Sequence, residues 1–147
     1  MMRKLIPTAD IVAALSATAV QAADYEVKML NASENGTMVF EPAFLKLEQG
    51  DTVTFVAQDP GHNAETVAGP AGAASFNTAF KPRETVMFDQ EGVYVYKCLP
   101  HAMMAMVGVI QVGAAVNQDE IAAVVEQQEA AFVMHKGRLK ELFAQVN

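Results

Sequence analysis

The residues with the clearest chemical potential lie in one ten-residue segment, 97–106, which reads KCLPHAMMAM. It holds a cysteine, a histidine and three methionines. A thiolate, an imidazole and a thioether together form a ligand set that selects copper over harder cations. Cys98 is the only cysteine of the chain, so no internal disulfide can form. Metal binding is one explanation for a lone thiol, and burial in the core is the other.

A copper centre for electron transfer requires two histidines and a cysteine in a trigonal arrangement, with a weak axial methionine. His101 follows Cys98 by three residues, so the second imidazole must come from His62 or His135. We favour His62, because it follows a predicted strand and the turn 59–61. His135 is predicted at the close of a helix, where an imidazole is common and functionally neutral.

Three methionines compete for the axial position. Met103 is expected to fill a gap in the core or to lie on the surface. Met104 is too close to His101 without a tighter turn, whereas Met106 leaves four residues for the loop to close. The predicted copper ligands are therefore His62, Cys98, His101 and Met106.

These ligands must be positioned by strands. Alternating apolar and polar residues predict strands that begin at Tyr25 and that cover 44–48, 52–56, 85–88, 93–98 and 107–112. The alternation places Cys98 at the end of its strand, on the same face as Tyr94 and Tyr96, and Pro100 prevents that strand from continuing. The segment 68–82 is rich in Ala, Gly and Pro and is predicted to be a loop. Short strands at this spacing indicate a sandwich or barrel.

The C-terminal part of the chain has a helical pattern from about residue 117. Asn117 is a favourable N-cap for a first helix, and a second helix follows Gly137. The first apolar stripe consists of Ile121, Val124, Val125 and Phe132, and the second of Leu139, Leu142, Phe143 and Val146. We expect both stripes to pack on the sandwich, because the intervening residues are not basic enough for a lipid surface.

Residues 1–22 have the features of a secretory signal peptide. Arg3 and Lys4 precede an apolar stretch at 11–20, and small residues surround Ala22. A membrane anchor is the alternative, but the stretch is shorter than the roughly 20 residues that span a bilayer. Asp10 is atypical of a signal peptide. We therefore predict export and one mature domain over 23–147, with no further membrane segment.

The predicted mature chain is acidic. Without the charges of the first 22 residues it has 8 basic and 16 acidic side chains and a formal charge of −8. Such a surface repels phosphate backbones, which argues against nucleic acid as a partner.

On these residues the sequence resembles the cupredoxins, the small type 1 blue copper proteins, and among them the pseudoazurins. The resemblance is carried by the segments 38–42, 50–55 and 61–63, by the spacing Cys98-x2-His101-x4-Met106 and by the two C-terminal helices. Plastocyanins share the loop spacing but lack the helices. The resemblance implies a mainly β fold, an eight-stranded Greek-key β-sandwich with two C-terminal α-helices. It also implies one copper ion and a monomeric periplasmic electron carrier that is not an enzyme.

The same resemblance assigns roles around the metal. It implies that Asn63 ties the His62 loop to the Cys98 loop by hydrogen bonding. It also implies an apolar docking patch around the edge of His101, to which Met38, Pro100 and Met104 contribute. The partners implied are redox proteins such as nitrite reductase or cytochrome c.

This chain departs from the family around the patch. Ala32, Pro60 and Asn77 stand where lysines are expected, so that Lys97 is the one that clearly remains, and Ala102 replaces a bulkier residue. Long-range attraction to an acidic partner is therefore expected to be weak or reversed.

Two other functions use the same residues. One is an enzyme in which Cys98 is a nucleophile activated by a histidine. The other is a module that stores or delivers copper, or that holds zinc structurally.

Overall fold

The structure, a computed structural model, describes residues 20–147. The predicted signal peptide lies almost entirely outside the described residues, and residues 20–22 form an exposed irregular segment. Within residues 20–147, no helix has the length and apolar content needed to cross a membrane.

The described chain folds into eight strands arranged in two four-stranded sheets. The strands are β1 (Asp24–Ser33), β2 (Gly36–Glu41), β3 (Phe44–Leu47), β4 (Asp51–Ala57), β5 (Glu65–Ala68), β6 (Arg83–Phe88), β7 (Gly92–Lys97) and β8 (Val107–Val112). One sheet has the order β2-β1-β4-β6 and the other β3-β8-β7-β5. The pairs β1–β4 and β3–β8 are parallel and the others antiparallel. The predicted β-sandwich is confirmed.

The strand pattern of the sequence did not reveal β2 and β5. Each is an edge strand of its sheet. All four residues of β5 are half-buried, so the strand has no alternation to detect. Residues 69–82 lack regular structure apart from one isolated bridge, as predicted for the loop.

The two faces of β7 point into two different apolar clusters. Tyr94, Tyr96 and Cys98 face the interior between the sheets, where they meet Phe40 and Phe55. The intervening valines face outward and are covered by the C-terminal helices. This second cluster contains Val93, Val95, Val107, Val109, Ile121, Val125, Phe132 and Leu139. The predicted packing of the helical stripes on the sandwich is confirmed except for Val124, which is half-buried and lies outside this cluster. The packing explains why β7 and β8 are buried on both faces.

The helices are α1 (Gln118–Ala131) and α2 (Arg138–Phe143). Asn117 occupies the N-cap position, but the prediction that its side chain caps α1 is wrong. Its Oδ1 accepts a hydrogen bond from Val93 N at 2.7 Å and its Nδ2 donates to Val93 O at 2.9 Å. The side chain therefore ties the start of α1 to β7 instead of closing the helix end.

His135 is also placed differently from the prediction. It lies in the turn between the helices and not at the close of α1, which ends at Ala131. The residue has a positive φ of 52°, and its Nε2 lies 2.9 Å from Thr37 Oγ1.

Candidate metal centre

Two loops at one end of the sandwich bring the predicted ligands together. β4 ends at Ala57, and the loop that follows contains His62. β7 ends at Lys97, and the chain continues through Cys98 into a 3-10 turn, Leu99–Met104. Pro100 lies in the first turn of this segment, where its missing N–H is not needed.

The turn returns the chain to β8 with the ligands on its inner side. Cys98 N donates to Met106 O at 2.9 Å, which continues the pairing of β7 and β8 beyond the strand ends. His101 N donates to Cys98 O at 3.2 Å, and Met106 N donates to His101 O at 3.2 Å. Backbone hydrogen bonds within the loop thus fix Cys98, His101 and Met106 relative to one another.

Three ligand atoms form a compact triangle. His62 Nδ1 lies 3.2 Å from His101 Nδ1 and 3.6 Å from Cys98 Sγ, and His101 Nδ1 lies 3.4 Å from the same sulfur. No other group of three or more His, Cys, Asp or Glu residues in the described part of the chain could hold a metal in this way. A point equidistant from the three atoms lies about 2 Å from each, close to the roughly 2.0 to 2.3 Å of metal–nitrogen and metal–sulfur bonds in proteins. Copper therefore fits this arrangement of two imidazoles and a thiolate.

His62 is held in the orientation that a metal ligand needs. The ring is fully buried, and Nε2 donates to Asn31 Oδ1 at 2.8 Å, which leaves Nδ1 free to bind metal. Burial lowers the pKa of His62, and the nearby His101 lowers it further. The imidazole is thereby kept neutral, as metal binding requires.

Sequence reasoning did not identify Asn31. It lies on β1, which has no motif around it, and only the parallel pairing of β1 with β4 brings it to the His62 loop. Asp59 strengthens this junction, since its Oδ2 accepts a hydrogen bond from Asn31 N at 2.7 Å.

The Cys98 thiol is not exposed to solvent. Its side chain is fully buried, and burial raises the pKa of the thiol. Backbone hydrogen bonds from Asn63 and His101 act in the opposite direction and stabilise the thiolate. A metal ion deprotonates a thiol that it binds. A buried thiol of raised pKa is a poor nucleophile, which argues against the enzyme alternative.

Asn63 links the two loops. Its Oδ1 accepts a hydrogen bond from Leu99 N at 2.7 Å, across 36 residues of sequence. Its Nδ2 donates to Asn77 Oδ1 at 3.2 Å and to Glu65 Oε2 at 3.3 Å. The Asn63 side chain is fully buried, whereas its partners Leu99 and Asn77 lie at the surface.

The three methionines of the loop differ in burial. Met103 is 60% exposed and Met104 is half-buried, whereas Met106 is completely buried in the apolar cluster that contains Cys98. His135 lies outside the group of ligand atoms. Among the residues predicted for docking, Pro100 is exposed and Met38 is half-buried. Lys97 is half-buried, with its Nζ 4.0 Å from Glu65 Oε1.

Comparison with known proteins agrees with this geometry. Residues 27–113 match the family of copper-binding proteins described as the plastocyanin/azurin family. The chain is 42% identical over 147 residues to the pseudoazurin of Methylorubrum extorquens, covering 98% of this chain and 97% of that protein. It is 40% identical over 128 residues to the pseudoazurin of Paracoccus pantotrophus, covering 86% of each.

Its fold matches that of native pseudoazurin from Hyphomicrobium denitrificans with a TM-score of 0.72 and 40% identity. That match covers 84% of this chain and 98% of the other. With its ligand triangle and its C-terminal helices in place, the chain belongs to the plastocyanin/azurin family of copper-binding proteins and, within it, to the pseudoazurins.

Proposed function

We propose that this chain is a periplasmic carrier that delivers single electrons to a terminal reductase such as nitrite reductase. Membership of the pseudoazurins already makes it a copper electron carrier and not an enzyme. In the proposed site, His62, Cys98 and His101 would hold copper, and Met106 would be the weak fourth ligand. Bound copper supplies a one-electron Cu(II)/Cu(I) couple. The convergence of the three ligand atoms in a buried pocket is the observation that carries the proposal.

The axial assignment is supported by burial and by connection to the other ligands. Met106 is the one fully buried methionine of the loop. Its main chain bonds to Cys98 on one side and to His101 on the other. Met103 cannot fill this role in the observed conformation, because its side chain is directed largely to solvent.

The ligand frame is suited to electron transfer because little of it can move. Asn31 fixes the ring of His62, and Asn63 fixes the backbone after Cys98. Both contacts are made by side chains that do not bind the metal themselves. Contacts of this kind hold ligand geometry and tune the metal.

His101 provides the proposed exit for the electron. It is half-buried, whereas His62 and Cys98 are fully buried. The proposed docking patch consists of Met38, Lys97, Pro100 and Met104, and the exposed side chains of Leu99 and Met103 extend its apolar area. Small apolar patches of this kind suit brief redox encounters, whose interfaces are typically below about 1,200 Å².

The charge of the chain bears on the choice of partner. The predicted mature charge is −8, and the amine of Lys97 is close to the carboxylate of Glu65. Long-range steering therefore favours a partner with a basic docking face, and cytochrome c is the second candidate on this ground. Nitrite reductase remains the first candidate because it is the acceptor that the family resemblance implies.

The metal site is tested with Cu(II) added to the purified mature protein, followed by visible and spin-resonance spectra and by voltammetry. We expect an intense blue absorption and a reversible one-electron couple. Release of copper on reduction would favour the storage alternative. Export is tested by cell fractionation after expression of the full chain. If the chain is exported, the mature form should be recovered in the periplasmic fraction.

Docking is tested by stopped-flow electron transfer to nitrite reductase and to cytochrome c at several salt concentrations. Leu99→Glu should slow transfer to nitrite reductase, because it places a negative charge in the docking patch. Met87→Glu is the matched control. Met87 is similarly exposed, 64% against 52% for Leu99, but it lies on β6 opposite Thr52, at the far end of the sandwich. Equal rates for both variants would contradict docking at the His101 edge.

A further inference from the structure

Arg138 is a charged residue to which the proposed electron path assigns no role. It is the first residue of α2, and its guanidinium reaches away from the helix into the end of the sandwich that holds the metal loop. Nη1 donates to Met38 O at 2.9 Å and to Ala105 O at 3.0 Å, and Nη2 donates to Thr37 O at 3.1 Å. One side chain thus links α2 to two segments that are distant in sequence, the start of β2 and the metal loop.

Two of the three carbonyls belong to residues with unusual backbone conformations. Met38 has a φ of 51° and Ala105 a φ of 56°. These values lie in the left-handed region, which residues other than glycine rarely adopt. Such conformations persist only where the surrounding structure holds them. The same Nη1 atom binds the carbonyls of both residues.

The contact with Ala105 acts directly on the metal loop. Ala105 ends the 3-10 turn and precedes Met106, so its carbonyl belongs to the peptide unit that connects the turn to the proposed axial ligand. The N–H of that peptide unit donates to His101 O at 3.2 Å. The unit is therefore held on both sides, by a ligand residue through its N–H and by Arg138 through its oxygen.

The residues around Arg138 hold its guanidinium in position. Glu129, a buried residue of α1, accepts hydrogen bonds from Gly137 N at 2.7 Å and from Leu139 N at 3.0 Å. These bonds fix the backbone on both sides of Arg138. Gly36 leaves the required space on the other side, since a Cβ at that position would lie 2.9 Å from Nη2.

The guanidinium is compensated by these carbonyls. In residues 20–147 no carboxylate lies within 4.0 Å of it. Arg138 is half-buried, and even partial burial of a charge is costly unless the charge is hydrogen-bonded, so the three acceptors stabilise this placement of the guanidinium. The planar fork of arginine can bind several acceptors in fixed directions, whereas lysine presents a single flexible ammonium.

We infer that Arg138 is a positioning residue of the copper centre, which fixes the Ala105–Met106 peptide against Thr37 and Met38 near the start of β2. It thereby sets the place of the axial ligand and of Met38 in the docking patch. This inference rests on the proposed function, in which Met106 binds copper and Met38 lies in the docking patch. It predicts that a residue of the C-terminal extension controls the metal centre without touching the metal.

The test compares Arg138→Met and Arg138→Lys with the control Lys140→Met. Lys140 lies on the same short helix, but its side chain is exposed and pairs with Glu126 at 3.0 Å. For Arg138→Met we expect a loss of copper affinity of roughly tenfold or more, as is typical when a group behind a metal ligand is removed. We also expect a shifted reduction potential, and faster hydrogen exchange of the Met106 amide in the copper-free protein.

Arg138→Lys should show the same changes to a smaller extent, and Lys140→Met should match the wild type. If Arg138→Met fails to fold, Arg138→Lys provides the same three readouts. Wild-type affinity, potential and Met106 exchange in a variant that merely unfolds at lower temperature would overturn the inference. Failure of the wild type to bind copper would instead reject the proposed function, so the two failures are distinguishable.

Discussion

Replacing each of two tyrosines on β7 by phenylalanine should change the free energy of unfolding in opposite directions. Tyr94 and Tyr96 point to the same face of the strand, and both are buried. The hydroxyl of Tyr94 donates to Gln90 O at 2.9 Å. The hydroxyl of Tyr96 has no hydrogen-bond partner among the described residues. We therefore predict that Tyr96→Phe raises the free energy of unfolding and that Tyr94→Phe lowers it.

The magnitudes follow from the two environments. A buried hydroxyl without a partner costs about 1–3 kcal/mol, which Tyr96→Phe recovers. The space left by one oxygen atom, on the order of 10 Å³, costs only a few tenths of a kcal/mol at about 24 cal/mol per Å³. The net gain is therefore about 1–3 kcal/mol. Tyr94→Phe removes a satisfied hydrogen bond and should cost about 1 kcal/mol.

Packing against Gly108 leaves little room for a water molecule on one side of the Tyr96 hydroxyl. A Cβ built on Gly108 would lie 2.2 Å from Tyr96 Cζ and 2.3 Å from its oxygen. The strand β8 thus approaches the ring closely because it carries no side chain there. A partner supplied by solvent from this direction is excluded.

The measurement is denaturant unfolding of the copper-free mature proteins. Copper must be absent because a ligand that binds only the folded state adds stability by mass action and obscures the comparison. The midpoint of Tyr96→Phe should move to higher denaturant and that of Tyr94→Phe to lower, with unchanged slopes. Destabilisation of similar size in both variants would refute the reasoning, because it would mean that the Tyr96 hydroxyl is hydrogen-bonded in solution.

The free energy of unfolding of the wild type and of Tyr96→Phe should depend differently on pH. Burial raises the pKa of Tyr96, so the folded protein keeps the phenol proton when the unfolded chain has lost it. Stability from this group is complete below the unfolded pKa of about 10 and is lost as pH rises above it, by up to about 1.4 kcal/mol per pH unit. Tyr96→Phe should lose less stability than the wild type between neutral and alkaline pH. Burial also raises the pKa of Tyr94, which contributes equally to both proteins.

Three further predictions concern the metal centre. Cys98→Ser should abolish the blue absorption in spectra recorded with Cu(II), because that absorption requires sulfur bonded to oxidised copper. Met106→Leu should retain copper but shift the reduction potential measured by voltammetry, because only the weak axial bond is removed; complete loss of copper would show that Met106 is not a weak ligand. Asn63→Ala leaves Leu99 N without its acceptor and should weaken copper binding about 10- to 100-fold in a competition titration.

The ligand motif was readable from sequence because three of its members lie within nine residues and because their types are unusual. Cys98, His101 and Met106 require only a turn to converge, and Pro100 indicates where that turn begins. His62 was found by elimination, since the chain contains three histidines. The structure brings His62 to the cysteine and to the second histidine, as the ligand prediction requires.

The residues that hold the ligands were not readable in the same way. Asn31 reaches His62 through the pairing of two strands, and no local pattern encodes that register. Asn117 shows the same limit. Its position before α1 was predicted, but its side chain hydrogen-bonds to the backbone of Val93 on β7 and not to the end of the helix. Local sequence indicates which elements form, whereas the partners of polar side chains depend on tertiary contacts.

The C-terminal helices cover the outer face of the strands whose inner face leads to the metal. β7 is buried on both sides, by the opposite sheet on one and by α1 and α2 on the other. The cover continues beyond the strand, because Val133 N donates to Met103 O at 2.8 Å and Arg138 holds Ala105. The metal loop is therefore supported on its outer side by residues of the helical extension. A loop supported in this way has few alternative conformations when the charge of the metal changes, so the helices contribute to the rigidity that rapid electron transfer requires.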